Sequence, residues 1–261
     1  MYSSAGGLLA REARSLERLC TDTISDTRFA RLRQPSFEGK KVYRHQSVLV
    51  RRRGQSQRGL QLQRNKVRSL RVAVACLQDV TIRPGETFSF WKLVGRPTQE
   101  RGFALGMELS AGRPQEGVGG GLCQLSNLIF WLALHSSLGV VERHHHSFDP
   151  FPDDGRVLPF GSGATVMYRY KDLRLFNPTD STFRFRFGFD AKCLRGLLQS
   201  DASPSLSYSV FERDPCFVNV DGRWRRRNAI WRRVRIRTTG RVLRDEFLFR
   251  NDAEVRYDPD C

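Results

Sequence analysis

Residues 182–189 read Thr182-Phe183-Arg184-Phe185-Arg186-Phe187-Gly188-Phe189. Successive side chains of a strand point to opposite faces, so this alternation predicts a β-strand with its phenylalanines buried and Arg184 and Arg186 solvated. Residues 165–176 also have strand character, and Asn177-Pro178-Thr179-Asp180 lies between the two runs. That arrangement predicts a hairpin closed by a proline turn. Further strands are expected at 42–50, 87–91, 229–238 and 241–250. Arg51-Arg52-Arg53-Gly54 reads as an exposed turn, as does Pro84-Gly85.

Helices are fewer. In 65–79, Val67, Leu70, Val74 and Leu77 fall on one stripe, and in 8–20 Leu9, Ala13, Leu16 and Cys20 do the same among arginines. The second of these reads as a basic amphipathic helix docked on the domain rather than on a membrane. Residues 122–135 are apolar on nearly every side, the mark of a buried helix. The expected fold class is therefore α+β, with helices packed on a mainly antiparallel β-sheet and a β-rich C-terminal portion. Three regions are expected: a helical and irregular stretch at 1–62, a central domain at 63–199, and a β-rich extension at 200–261.

Composition removes several function classes. The chain has 261 residues and is 39% hydrophobic, enough for a core, so general disorder is excluded. Its longest strongly apolar run, 128–134, is far short of the ~20 residues that span a bilayer. The net charge is +17 and 38 of the 44 cations are arginine. An excess this uniform fits genomic composition, so no specific nucleic-acid partner is expected. The six cysteines include no CxxC pair, which gives neither a disulfide framework nor a zinc ribbon. No cation precedes Arg11 and the apolar run Leu8-Leu9-Ala10 is short, unlike a signal peptide, so the expected compartment is the cytoplasm.

The densest chemistry lies in Gly119-Gly120-Gly121-Leu122-Cys123-Gln124-Leu125-Ser126. Cys123 falls at the start of the buried helix, where free N–H groups and the helix dipole favour an anion. A thiolate is the nucleophilic form of cysteine, and its pKa falls at helix N-termini. The glycines are expected to leave room for a substrate, and the local N–H groups with the Gln124 amide to form an oxyanion hole. The other five cysteines read as inert, and His45 and His135 as structural histidines.

A cysteine nucleophile needs a base, and Glu142-Arg143-His144-His145-His146-Ser147 follows about twenty residues later. If this run is a strand, His144 and His146 share a face. Asp149, Asp153 and Asp154 are candidates to orient the ring. A zinc ion held by Cys123, His144 and His146 is the rival. No HExxH or CxxC pattern supports it, so neither metal nor cofactor is expected.

These motifs resemble the VanW family, bacterial proteins encoded with B-type glycopeptide (vancomycin) resistance clusters and also found as domains of exported cell-wall proteins. The matching runs are Arg64-Asn65-Lys66, residues 83–90 (Arg-Pro-Gly-Glu-Thr-Phe-Ser-Phe), residues 119–127, Glu142-Arg143 with His146, and Ala164-Thr165-Val166. The resemblance covers about 63–190. It implies a peptidoglycan connection, because exported members look like L,D-transpeptidases that form an acyl-enzyme with a stem peptide. Cys123 matches the nucleophile and His146 the motif histidine. Gly120, Gly121, Gln124, Ser126, His144, Arg143 and Asp149 are taken as supporting or substrate-binding residues, and a peptidoglycan precursor or stem peptide as the partner. Most members carry Asp immediately before the Ala-Thr-Val run, where this chain has Gly163. If that Asp orients the histidine, its role here is filled from elsewhere or absent.

Overall fold

The phenylalanine–arginine run forms the strand β9 (Phe183–Phe189) of a four-stranded antiparallel sheet. Its neighbours are β10 (Cys193–Ser200) and the short β2 (Thr81–Ile82), and β1 (Lys40–Val48) closes the far edge against β10. The computed structural model describes residues 18, 21–50, 56–110, 113–145, 148–149, 158–168 and 170–259. The sequence readings at 51–54, at His146 and over most of 8–20 lie outside these residues.

Phe183 and Phe185 are buried, as the alternation predicts, but Arg184 is not solvated: it is 1% exposed. Its guanidinium donates to the carbonyls of Gln34 at 2.9 Å and Phe37 at 2.7 Å, and to the Gln199 side chain at 3.1 Å. The loop before β1 thus covers the face that alternation assigned to water, and its carbonyls replace the lost hydration.

The expected hairpin around 177–180 does not form. β8 (Arg174–Phe176) joins a separate three-stranded sheet, between β3 (Thr87–Ser89) and β6 (Gly139–Glu142). Asn177 diverts the chain from one sheet to the other. Its amide donates to Ile82 and Ser181 carbonyls and its carbonyl oxygen accepts from Thr179, a local turn stronger than a simple reversal. Residues before 174 are not extended, because Met167 and Lys171 bond each other across a tight loop. The strand expected at 87–91 stops at Ser89. There the Ser89 hydroxyl accepts from Lys92 N–H and the Asp172 carboxylate from Trp91 N–H, starting a short helix, α2 (Phe90–Val94).

The helix α1 (Gln57–Leu77) begins about two turns earlier than its apolar stripe, because the Ser56 hydroxyl caps Gly59 N–H at 3.1 Å. The 62/63 boundary therefore falls inside α1. A glycine-rich stretch after α2 is a hairpin of β4 (Leu105–Ser110) and β5 (Arg113–Val118), in which Gly106 faces Gly117. The last helix, α3 (Cys123–Leu134), buries Leu125 and every residue from Leu128 to Leu134. One side packs on β1 and β10. On another, Phe130 meets Phe249 at 5.9 Å between ring centroids.

Phe249 belongs to a C-terminal antiparallel meander of β11 (Leu206–Val220), β12 (Arg223–Ile236) and β13 (Val242–Val255). A two-residue strand, β7 (Phe148–Asp149), adds to β13 in parallel. The fold is α+β, with few helices, mainly antiparallel sheets and a β-rich C-terminal portion. Among the described residues no helix is long and apolar enough to cross a membrane. His135, at the end of α3, is buried and stacks on Tyr43 at 3.8 Å; His45 is partly buried beside Trp131.

Candidate active site

Cys123 is the first residue of α3, after a turn in which Gly119 and Gly121 adopt φ of +81° and +92°. The side-chain directions of Gly120 and Gly121 are filled by the protein itself. A Cβ on Gly120 would collide with the Gly106 backbone of β4, and one on Gly121 with the Lys66 side chain of α1. Close packing of the chain against itself uses the space.

The expected oxyanion donors are likewise engaged. Gln124 and Leu125 N–H groups donate to the carbonyls of Gly121 and Leu122, each at 3.0 Å. The Gln124 amide donates to Ser47 Oγ at 2.8 Å and to the Val48 carbonyl at 2.7 Å, fastening α3 to β1. It belongs to the scaffold.

The Cys123 sulfur lies 3.6 Å from the Val166 carbonyl. Burial pushes the thiol above its ordinary range, and the nearby Glu108 carboxylate adds to the rise. The backbone hydrogen bond at Val166, the residue's own N–H and Lys171 oppose it without winning. The depressed pKa expected from helix position is thus overturned, because desolvation penalises the thiolate more than one helix terminus favours it. Glu108, on the β4–β5 hairpin, and Lys171 are charges that sequence reasoning missed. Neither sits in a motif, and only the fold brings them near position 123.

Residues 164–166 are clamped to the first turn of α3. Ser126 Oγ donates to the Ala164 carbonyl at 2.6 Å, and Asn127 Oδ1 accepts from Ala164 N–H at 2.7 Å. Asn127 was also missed, although its i+4 spacing from Cys123 places both on one helix face. On the other side, Thr165 N–H donates to the His144 carbonyl at 2.7 Å. The structure therefore brings together the cysteine turn, the Ala-Thr-Val run and the backbone of the histidine segment. A Cβ on Gly163 would stand 2.8 Å from Asn127 Oδ1, so a side chain there would have to displace this clamp.

The strand reading of the histidine run fails, because β6 ends at Glu142 and residues 143–145 are irregular. Arg143 Nε donates to the Gly163 carbonyl at 2.9 Å, and its guanidinium stacks 3.9 Å from the centroid of the Phe249 ring. Burial lowers its pKa to about 10. It braces the loop against the C-terminal meander instead of reaching toward Cys123. Asp149 does not orient a histidine of the described segment. It is buried between Arg226 at 3.4 Å and Tyr257 Oη at 3.1 Å, at the β7–β13 junction.

His144 instead meets Glu142, with Nε2 to Oε1 at 2.9 Å. Burial works to raise the Glu142 pKa, but His144, Arg18 and the Asp172 N–H together hold it at about 2. Arg174 reaches Glu142 at 3.4 Å, Asp172 at 3.2 Å and Asp22 at 2.7 Å, joining the carboxylates into one network. A cleft of about 390 Å³ lies beside this network, lined by residues including Arg28, Thr87, Val141 and Arg174. Cys123 does not line it.

A small α+β protein whose buried helix begins on a cysteine, clamped by an Ala-Thr-Val segment, matches an identifiable family. Residues 65–198 match the family described as VanW like protein, and the chain belongs to that family. It is 30% identical over 195 residues to the Vancomycin B-type resistance protein VanW of Enterococcus faecalis (strain ATCC 700802 / V583), covering 75% of this chain and 71% of that one. It is 33% identical over 118 residues to the Uncharacterized protein YoaR of Bacillus subtilis (strain 168), covering 43% of this chain and 36% of that protein. No solved structure matches the chain.

Proposed function

We propose that the protein is a cysteine-dependent acyl transferase of peptidoglycan metabolism, acting on a stem peptide or its cytoplasmic precursor, with Cys123 as nucleophile and His146 as the motif histidine. The observation that carries this reading is the convergence at Cys123. Three separated motifs meet where one ionisable sulfur heads a rigid, buried helix. The relative named for vancomycin resistance supports the cell-wall connection. In the reaction, the thiol loses its proton to an imidazole and the thiolate attacks an acyl carbonyl. The C–N bond of the donor breaks, its amine leaves with that proton, and an acceptor amine then cleaves the thioester.

A second reading, a non-catalytic accessory protein that keeps the pocket for a ligand, is favoured by the raised thiol pKa. Intact-mass analysis after incubation with precursor muropeptides separates the two. The acyl transferase gives an adduct that maps to Cys123 and disappears in Cys123→Ser. Ligand binding with no adduct supports the accessory protein instead.

A further inference from the structure

We propose that the turn joining β12 to β13 is a docking surface for an anionic phospholipid bilayer. Val242 and Leu243 enter its interface, and the arginines around them meet the headgroups. The inference is independent of the chemistry at Cys123. Between Arg235 and Arg244 the chain carries four arginines and no carboxylate. Arg235 stands opposite Val242 and Arg244 opposite Val234, so the antiparallel pairing gathers these cations at one end of the meander. Arg237, at the turn, donates to the Val42 carbonyl at 3.2 Å, which brings the exposed Lys41 of β1 to the same end. Arg235 donates to the Ser209 hydroxyl and Arg237 to the Leu206 and Val42 carbonyls; these acceptors are neutral, so both side chains keep their charge. The first carboxylates along β13 are Asp245, held by Arg213 and Arg233, and Glu246, held by Arg232 and Arg244. Each meets two cations, and this end stays positive.

Cationic charge alone would suit any polyanion. The aliphatic side chains narrow the partner. Pairing slips between Val234 and Arg235, and Leu243 is left with no opposite residue. Such a bulge re-aims a side chain. Instead of alternating between core and water, Val242 and Leu243 are both open, at 49% and 41% exposure. A valine–leucine pair offers a phosphate or a base edge no hydrogen bond, whereas the boundary of headgroup and acyl chain takes aliphatic groups with cations just above them. The opposite end of the meander also exposes apolar groups, Phe217 and Val220. Its turn, however, carries Asp221, and Arg223 there meets Glu254 at 3.6 Å.

The test is co-sedimentation of the full chain with phosphatidylcholine vesicles containing about one third phosphatidylglycerol. Salt is set at about 0.15 M, where charges more than about 8 Å from the bilayer are largely screened. Binding is expected there and not to phosphatidylcholine alone. Arg241→Gln should weaken it about fivefold, the equivalent of about 1 kcal/mol for one basic residue near an anionic surface. The double variant Val242→Ser, Leu243→Ser should weaken it about tenfold. Leu243→Trp, which sets an interfacial aromatic at the same position, should strengthen it. Arg223→Gln removes the same charge at the opposite end and should leave binding unchanged. Equal losses in Arg241→Gln and Arg223→Gln would reduce the effect to net charge and overturn the proposal. So would unchanged binding in both Leu243 variants, or no binding to the anionic vesicles at all. Tighter binding to a single-stranded oligonucleotide that needs Arg241 but not Leu243 would overturn it in favour of a nucleic acid. Should the serine pair lower the melting temperature, Leu243→Trp and the two glutamine variants still decide.

Discussion

At Cys123 the sulfur faces the Val166 carbonyl, with Glu108 and Lys171 acting on it in opposite directions, whereas Glu142, two residues before the His144 carbonyl that pins the same loop, is ringed by donors. Both groups are substantially desolvated, and desolvation alone would keep both protonated. The thiol does move up. The carboxylate moves the other way, to about 2, because His144, Arg18 and the Asp172 N–H meet it. Asp172 completes the contrast. It is 1% exposed, and burial raises its pKa despite Ser89, Trp91 and Arg174. Depth sets the penalty, and the number and charge of the partners decide whether it is overcome. The region consequently holds negative charge at Glu142 while the thiol of Cys123 stays neutral.

The largest expected effect is on chemistry. Cys123→Ser should abolish adduct formation while changing folding stability by less than ~1.5 kcal/mol, since the volume is nearly conserved. Mass spectrometry and a denaturant melt on the same sample check both halves; full function in the serine variant would remove the nucleophile. Next comes Arg174→Met, which leaves Asp172 and Glu142 short of their shared cation. Removing one partner of a buried ionic network costs about 3–5 kcal/mol, read as a lower urea midpoint at pH 7. A negligible loss would break the comparison, because the carboxylates around Arg174 would then not depend on their shared cation.

How much of this was legible beforehand depends on the range of the interaction. The buried helix was readable from Leu122 onward, since an all-apolar helix has only one kind of place to go. The alternation in β9 gave the strand and its inner face. It misassigned Arg184, because the covering loop at 34–37 contacts it across some 150 residues of chain. The same limit explains the site. Cys123 and its helix position were local facts, but its ionisation depends on Glu108 and Val166, supplied by other elements. Asp149 was legible as a candidate because it follows the histidines closely, but its contacts with Arg226 and Tyr257 were not. Its partner strand, β13, lies a hundred residues further on.

His135 sharpens the contrast with a group that has burial and no ionic partner of opposite sign. Burial lowers its pKa to about 4, and its ring stacks on Tyr43. The unfolded chain, with a histidine pKa near 6.5, binds more protons than the folded one between pH 6.5 and 4. Stability is therefore complete above pH 6.5 and is lost as pH falls toward 4, by up to roughly 3 kcal/mol. His135→Phe keeps an aromatic ring against Tyr43 and loses the bond to the Trp131 carbonyl. It should be about 1 kcal/mol less stable at pH 8 but show a flatter stability profile from pH 6.5 to 4. Glu142 loses its contribution only below about pH 4.5, as pH falls toward 2, so the two acid transitions are separable by urea titration at stepped pH. An unchanged slope in His135→Phe would mean that the ring is solvated when folded.

The smallest effect belongs to the exposed Arg58–Glu116 pair, which links the first turn of α1 to β5. Its geometry is bidentate, and each partner shifts the other's pKa in the direction an ion pair requires. Both side chains are nonetheless open to water, at 59% and 39% exposure. Solvent screens such a pair, and holding two long side chains in one arrangement has an entropic cost. The hairpin also has anchors that do not depend on charge: the Asn65 amide donates to the Leu105 carbonyl at 2.8 Å, and Ser69 Oγ accepts from Ala104 N–H at 3.0 Å. Arg58→Ala should therefore melt within experimental error of the unmodified protein, at low and at high salt alike. A clear drop at low salt that disappears at high salt would show that an exposed pair holds this hairpin. The distinction between partnered charge inside the Glu142 network and partnered charge at the surface would then have to be abandoned.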